Sequence, residues 1–193
     1  AYSPAAVITE ERYQRVLETI IEPTVRGMAA DGHPYIGFLY AGLMITPDDE
    51  IKVVEFNCRF GDPEAQPIMM RMQDDLVDIC LKALEGKLEG VELSFDGRVA
   101  VGVVMASGGY PGSYEKGMTI ESIDDAESVE GVKVFHAGIT LEDGEIRSSG
   151  GRVLGVTALG GTVEAARSQA YDAVDKIRFE GAHIRRDIAA KAL

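Results

Sequence analysis

Residues 53–64 read VVEFNCRFGDPE, and the interpretation of the rest of the chain starts from this stretch. Side chains of a strand alternate between its two faces, so Glu55, Asn57 and Arg59 are predicted to share one polar face. Cys58 is predicted to lie on the other face, where it would serve as a small core residue. The stretch therefore predicts a half-buried strand that carries three functional groups in a row.

The polar row has the chemistry of a metal and phosphate site. A carboxylate (Glu55) and an amide oxygen (Asn57) two residues apart suit Mg²⁺, which takes few protein ligands and completes its shell with water and substrate phosphates. Arg59 adds a planar fork that fits a phosphoryl group or a carboxylate. A solvated strand face with an incidental ion pair is an equally good interpretation of this spacing. The following residues 61–64, GDPE, favour the functional one.

The residues before this stretch predict a helix and the first arm of a β-hairpin. Thr9 followed by two glutamates is a helix start, Pro23 predicts a bend, and residues 31–32 end the helix. Residues 35–45 are predicted to be a strand buried on both faces, which pairs with a second strand over residues 51–57.

The residues after it predict two helices and then a β-rich region. Asp62 and Pro63 are predicted to cap and open a helix, and a second, amphipathic helix ends at Gly86. A hairpin turn is expected at residues 142–145, and a last helix is expected to begin after Thr162. The predicted strands of this region cover residues 99–106, 132–137, 139–141 and 153–159. The fold class is α/β (α+β), in two units that cover residues 1–90 and 91–193.

Composition limits the possible partners and the compartment. The 19 basic and 32 acidic residues give a net charge of −13, which argues against nucleic acid and anionic membranes as partners. Only two cysteines are present, with no apolar leader or run near 18 residues, so a cytoplasmic location is expected. His33, His136 and His183 lack the spacing of a zinc site, and the acidic run at residues 124–130 is predicted to be a solvated face.

Several motifs in order carry a resemblance to a known family. Residues 55–66, EFNCRFGDPEAQ, closely resemble the signature of the glycinamide ribonucleotide synthetase family, ATP-grasp enzymes of purine biosynthesis. The Glu-x-Asn-x-Arg core is also similar to that of the biotin carboxylases. The other matching motifs are AYSPA at 1–5, GFLYAGLM at 37–44, VVMASGGYPGSY at 103–114, KVFHAG at 133–138 and SGGRVLGVTALG at 149–160.

The resemblance implies that residues 1–90 are the C-terminal part of an ATP-grasp domain, followed by a small β-rich C-terminal domain with one covering helix. It implies ligation of glycine to 5-phosphoribosylamine, with ATP as co-substrate and Mg²⁺ or Mn²⁺ as the metal. It also implies that the N-terminal half of the polypeptide, with much of the ATP site, is missing from this sequence.

The resemblance also assigns roles to individual residues. Glu55 and Asn57 are expected to bind the metal and, through it, the nucleotide. Arg59 and Asp62 are expected to be catalytic and to bind substrate, with helix capping as the alternative role of Asp62. The other expected substrate-binding residues are Pro63 and the loop residues Gly150, Gly151 and Arg152. For the loop residues, the alternative is a hairpin connection with an exposed arginine.

Two other functions remain open at this stage. One is an ATP-grasp ligase or carboxylase that acts on a different carboxylate, because the Glu-x-Asn-x-Arg row serves several substrates. The other is a non-catalytic binding module that keeps the fold without the chemistry. The segment at residues 108–112, GGYPG, is expected to be an ordinary turn.

Overall fold

A computed structural model describes residues 1–193, which form two compact units. The sheet unit comprises residues 1–4, 62–72 and 95–193, and the hairpin unit comprises residues 5–61 and 73–94. Contacts therefore assign residues 62–72 to the same unit as the last hundred residues, although they precede residue 90. A domain boundary near residue 90 stays a prediction.

A long irregular helix begins the hairpin unit. The Thr9 side chain caps it by accepting a hydrogen bond from the Arg12 N–H at 3.3 Å. The sequence predicts a bend at Pro23, and a π-helical turn ends two residues before this proline, which has no N–H to offer the carbonyl four residues back. Gly32, with φ of +84°, ends the helix as predicted. The segments are α1 (Glu10–Val16), the π turn (Leu17–Ile21) and α2 (Glu22–Ala30).

The predicted β-hairpin is confirmed, with a shorter first strand. Strands β2 (Tyr40–Ile45) and β3 (Ile51–Asn57) pair antiparallel. The prediction that residues 35–45 are buried on both faces is wrong, because no residue of β2 is fully buried. The helix α4 (Leu76–Leu84) completes this unit and ends before Gly86, as predicted.

A five-stranded antiparallel sheet forms the centre of the sheet unit. The strands of this unit are β1 (Tyr2–Ser3), β4 (Val99–Ser107), β5 (Val132–His136), β6 (Ile139–Glu142), β7 (Glu145–Ser148), β8 (Arg152–Gly160) and β9 (Ala182–Ile184). The order in the sheet is β1-β4-β8-β5, and β9 also pairs with β4. Burial along nearly all of β4 and β8 shows that both faces of these central strands are covered. A separate hairpin joins β6 and β7 through the predicted turn at residues 142–145.

Three helices and a final 3₁₀ turn (Ala190–Ala192) belong to the sheet unit. As predicted, Thr162 caps α6 (Val163–Val174), whose buried alanines pack on β4 and β8. The helix α3 (Ala65–Arg71) contacts the same two strands. The short helix α5 (Ile123–Glu127) was not predicted: it lies in the acidic run and buries Ile123 and Ala126.

The predicted helix start at Asp62 and Pro63 is wrong. The helix α3 begins two residues later, with Glu64 at the N-cap position and Ala65 as its first residue. Asp62 lies in the turn before it, where its carboxylate pairs with an arginine instead of capping the helix. None of the helices of the chain is both long enough and apolar enough to span a bilayer.

Candidate functional site

The three residues of the polar row lie together in the hairpin unit, joined by hydrogen bonds. Asn57 Nδ2 donates to Glu55 Oε1 at 2.9 Å, and Arg59 Nη2 donates to Asn57 Oδ1 at 3.2 Å. A second nitrogen of Arg59 donates to the carbonyl of Phe60 at 2.9 Å, which fixes the guanidinium near its own backbone. The hydrogen bond between Glu55 and Asn57 agrees with the prediction that these two strand residues share one face, whereas Arg59 follows the end of β3 and contacts Asn57 from a bend.

The local backbone explains how Glu55 is accommodated on this strand. Gly42 of β2 pairs with Glu55, and a Cβ at Gly42 would lie 3.3 Å from Glu55 Cγ. The pairing shifts at the next residue, where Leu43 faces Val53 and Val54 is left as the extra residue of a β-bulge. Bulges occur often beside functional sites because they redirect the neighbouring side chain.

The row fits a hard divalent cation. Glu55 and Asn57 supply a carboxylate oxygen and an amide oxygen within one hydrogen bond of each other, and Glu55 Oε2 has no hydrogen-bond partner. Nowhere in the chain do three or more His, Cys, Asp or Glu side chains gather at metal-binding distance. A metal at this row would therefore take its remaining ligands from water and substrate, which is the usual coordination of Mg²⁺.

Cys58 does not occupy the core position that strand alternation predicts. The residue follows the end of β3 in a bend, where the alternation no longer holds, and its side chain is exposed. The pKa of the Tyr35 hydroxyl is raised, first by desolvation and then by a hydrogen bond with Cys58. Cys58 therefore contacts the loop before β2 and no buried cluster.

A second group of predicted residues lies in the sheet unit around Arg152. Arg152 Nη1 donates to Asp62 Oδ2 at 3.0 Å, although the two residues are 90 positions apart in sequence. Both side chains are about half exposed. A β-bulge also lies here, because Ala106 pairs with Arg152 while Met105 pairs with Leu154.

Gly150 and Gly151 have a structural reason to be glycine. A Cβ at Gly150 would lie 2.9 Å from the Cα of Gly138, and a Cβ at Gly151 would lie 2.1 Å from the Tyr110 ring. The Gly150 N–H donates to the carbonyl of Gly138 at 3.1 Å, so it has a partner within the chain. A role for these two glycines in binding a phosphate stays a prediction.

Arg152 lines a cavity of about 340 Å³ in the sheet unit. Pro63 also lines it, and so do Tyr110, His183 and Arg185, which are among the lining residues to which the sequence assigns no site role. The segment that contains Tyr110 is predicted only as a turn, and β9, which brings in His183, is three residues long. A strand of that length leaves no periodic signal by which it could be found.

The structure thus brings the predicted site residues together in two groups. Glu55, Asn57 and Arg59 form one group in the hairpin unit. Asp62, Pro63 and the segment 150–152 lie in the sheet unit.

Comparison with known proteins identifies the family. The profile of the phosphoribosylglycinamide synthetase ATP-grasp (A) domain matches residues 1–65, and that of the C domain of the same enzyme matches residues 100–191. Together the two profiles cover most of the chain. The chain belongs to the phosphoribosylglycinamide synthetase family.

Individual relatives agree with this family assignment. The chain is 54% identical to a phosphoribosylamine–glycine ligase of Vibrio parahaemolyticus over 193 residues, which is 100% of this chain and 45% of that relative. The crystal structure of the Thermotoga maritima phosphoribosylamine–glycine ligase superposes with a TM-score of 0.83 at 36% identity and covers 97% of the chain. The chain spans a little under half the length of the curated relatives it matches.

The fold is shared more widely than the family. A biotin carboxylase of Campylobacter jejuni superposes with a TM-score of 0.63 over 96% of the chain, at 13% identity. The Thermotoga maritima and Campylobacter jejuni structures together confirm the predicted fold, which is a portion of an ATP-grasp enzyme. Because its identity to the chain is so low, the biotin carboxylase supports the fold alone.

Proposed function

We propose that this chain is part of an ATP- and Mg²⁺-dependent ligase that joins glycine to 5-phosphoribosylamine. The products would be glycinamide ribonucleotide, ADP and phosphate, as in purine biosynthesis, and Mn²⁺ would be the alternative metal. The observation that carries the proposal is the hydrogen-bonded row of Glu55, Asn57 and Arg59 in a chain of the phosphoribosylglycinamide synthetase family.

The chemistry requires that the glycine carboxylate be activated. A glycine carboxylate oxygen would attack the γ-phosphorus of ATP, so that ADP leaves and glycyl phosphate forms. The amine of 5-phosphoribosylamine would then attack the acyl carbon, forming the C–N bond while the C–O bond to phosphate breaks and the amine loses a proton. The protein would act mainly by positioning its anionic substrates and stabilising charge in the transfer.

The polar row would serve the phosphoryl transfer. Glu55 and Asn57 would hold the metal, which when bound neutralises charge on the ATP phosphates. Arg59 would donate to the transferred phosphoryl group or to the glycine carboxylate. Its hydrogen bond to Asn57 already holds the guanidinium beside the proposed metal ligands.

The group around Arg152 would bind the second substrate. Arg152 would bind the 5-phosphate of 5-phosphoribosylamine, because its guanidinium is half exposed and lines the cavity described above. Asp62 uses one carboxylate oxygen on Arg152, which leaves Oδ1 for the substrate amine. Pro63 would form part of the wall, and Gly150 and Gly151 would let the loop approach the ligand closely.

A longer polypeptide would supply the rest of the site. The chain covers 45% of its relatives, and we propose that the remaining part contributes the residues that hold adenine. The exposed apolar side chains of the hairpin unit, among them Val54 and Phe56, support this proposal, because a large uncovered apolar surface is unusual on a complete domain. The cytoplasmic location expected from the composition belongs to the same proposal.

The test is glycine-dependent release of ADP by the full-length polypeptide, with ATP, Mg²⁺ and 5-phosphoribosylamine. We expect Glu55→Gln to lower kcat by a factor of about 10² to 10³, since one oxygen ligand of the metal is weakened. Glu50→Gln is the matched control: Glu50 precedes the same strand, is exposed and pairs only with Lys52 at its carboxylate. This control should keep full activity.

Each alternative function predicts a different result. ADP release that does not depend on glycine would indicate an ATP-grasp enzyme for another carboxylate. A full-length protein that binds ribose phosphate but releases no ADP would indicate a binding module. Full activity of Glu55→Gln would contradict the metal assignment even if glycine were the substrate.

A further inference from the structure

The turn that follows β4 places an aromatic ring beside Arg152. Cζ of Arg152 lies 5.8 Å from the centroid of the Tyr110 ring, which is within the range of a cation–π contact. Tyr114 meets the same ring edge-on, with centroids 6.1 Å apart. The guanidinium therefore has two contacts, one with the Tyr110 ring and one with the carboxylate of Asp62.

Hydrogen bonds fasten this turn to the loop that carries the arginine. The N–H of Ser107 donates to the carbonyl of Gly151 at 2.8 Å, and its hydroxyl donates to the carbonyl of Gly150 at 2.9 Å. Ser107 is buried, and its own carbonyl accepts from the N–H of Tyr110 at 3.1 Å. The ring and the arginine are therefore fixed to one rigid set of backbone groups.

Close packing at Gly151 restricts the ring further. A Cβ at this residue would lie 2.1 Å from Cδ2 of Tyr110, so the ring lies directly against the backbone that precedes Arg152. The β-bulge at Val153 adds a second constraint, because it sets the direction in which the Arg152 side chain leaves the strand.

We propose that Tyr110 is a positioning residue, which directs the Arg152 guanidinium into the cavity where it binds the phosphate of the substrate. This inference rests on the proposed function of Arg152. An arginine side chain has many conformations in solution, and restraining it by contacts with a ring and a carboxylate before the substrate arrives reduces the entropy lost on binding. The aromatic ring supplies this restraint without using any of the guanidinium N–H groups that phosphate needs.

The test compares Tyr110→Leu with Tyr110→Phe in the full-length polypeptide. Tyr110→Leu should raise KM for 5-phosphoribosylamine roughly 3- to 30-fold, the factor that corresponds to a cation–π contact. Its kcat and its KM for ATP and glycine should stay near wild type, and Tyr110→Phe should restore the wild-type KM. Phe95→Leu is the matched control, because Phe95 lies 5.6 Å from the guanidinium of Arg71, outside the cavity, and should leave every constant unchanged.

Two further measurements separate positioning from a general loss of structure. In an Arg152→Lys background, Tyr110→Leu should add little to the KM defect, since the guanidinium that the Tyr110 ring positions is already absent. If Tyr110→Leu does not fold, Tyr110→Met provides the same loss of the ring with a flexible side chain. An unchanged KM in both non-aromatic variants, or an equal penalty with and without Arg152, would overturn the inference.

Calorimetry with ribose 5-phosphate distinguishes this inference from the proposed function. Wild-type protein should bind this probe, and Tyr110→Leu should weaken binding by the same 3- to 30-fold factor even if the enzyme acts on a different carboxylate. Weakened binding without glycine-dependent turnover would support the role of Tyr110 and contradict the proposed reaction. Absence of ribose 5-phosphate binding to the wild type would overturn the role of Tyr110.

Discussion

The two units bury their apolar side chains to very different extents. Every residue of the hydrophobic core belongs to the sheet unit, where side chains such as Leu154 and Val156 are almost fully buried. The hairpin unit has no buried apolar side chain, and it contains most of the large exposed ones, including Val54 and Leu84. The proposed metal ligands stand on the poorly buried unit and the proposed phosphate-binding arginine on the well-buried one.

The difference follows from what each unit can close by itself. In the sheet unit, α6 lies across the long central strands β4 and β8 and covers a five-stranded sheet. In the hairpin unit, a single two-stranded sheet accompanies four helical segments, and two strands are rarely enough for independent stability. An amphipathic pattern in sequence therefore identifies a face that needs a partner, but does not show whether this chain supplies that partner.

Removing a large core side chain should give the largest difference between the units. Leu154→Ala in the sheet unit should lower the free energy of unfolding by about 2–5 kcal/mol, because it removes buried contacts and leaves a cavity. Leu84→Ala in the hairpin unit, where the side chain is 73% exposed, should change it by less than about 0.5 kcal/mol. Urea unfolding of the 193-residue chain measures both. Similar losses would mean that the hairpin unit buries Leu84 in solution.

Substituting glycine by alanine should act with opposite sign in the two units. A Cβ at Gly160 would lie 2.3 Å from the N of Ala166, so Gly160→Ala should destabilise the sheet unit by roughly 1–3 kcal/mol. Gly27 lies inside α2 with nothing within 4 Å of its added Cβ, so Gly27→Ala should stabilise that helix by about 0.5–1 kcal/mol. Hydrogen exchange of the amides around each site gives both values. Slower exchange after Gly160→Ala would contradict the packing described for α6.

The order of the elements could be predicted from the sequence because local signals mark their ends. Thr9 and Thr162 cap the helices that follow them, and Gly32 and Gly86 adopt the positive φ that ends a helix. The prediction for Asp62 failed because the same residues, an acid followed by proline, also fit a turn. The carboxylate reaches Arg152, which lies 90 residues away, and no local pattern shows such a contact.

Part of the candidate site was also predictable. The alternation of a strand placed Glu55 and Asn57 on one face, and their hydrogen bond agrees with it. Tyr110 was missed because glycines and a proline surround it, and such a segment indicates only a turn. Its contact with Arg152 depends on how two loops of the sheet are joined through Ser107, which is a tertiary feature.

Removing the helix caps should give smaller effects that separate global from local stability. Thr162 accepts from the N–H of Ala165 at 3.1 Å, and Thr162→Ala should lower the free energy of unfolding of the sheet unit by about 0.5–2 kcal/mol. Thr9→Ala should instead raise the hydrogen exchange rates of α1 severalfold and leave the urea midpoint of the sheet unit unchanged. A shift of that midpoint by Thr9→Ala would show that the two units unfold together.

Removing a charge pair should give the smallest difference in stability between the two units, and the pH dependence of that difference can be predicted. Hydrogen bonds from Arg15 and then Arg12 hold the pKa of Asp49 in the hairpin unit below its usual value of 3.8. A hydrogen bond from Lys133 likewise holds the pKa of Glu127 in the sheet unit below its usual value of 4.5, although desolvation opposes it. A carboxyl group whose pKa is lower in the folded state stabilises the fold fully above its unfolded pKa, and this contribution is lost as the pH falls through the folded value.

Asp49→Asn and Glu127→Gln should therefore lower Tm slightly at pH 7, and the difference from wild type should disappear as the pH falls below the usual pKa values of 3.8 and 4.5 and through the lower folded-state values. Asn tolerates the positive φ of 62° at position 49, so this substitution changes charge with little effect on the backbone. Because Asp49 is the more exposed of the two carboxylates, 1 M NaCl should reduce its effect more than that of Glu127. Equal sensitivity to salt would mean that the two pairs are equally exposed in solution, and would remove this difference between the units.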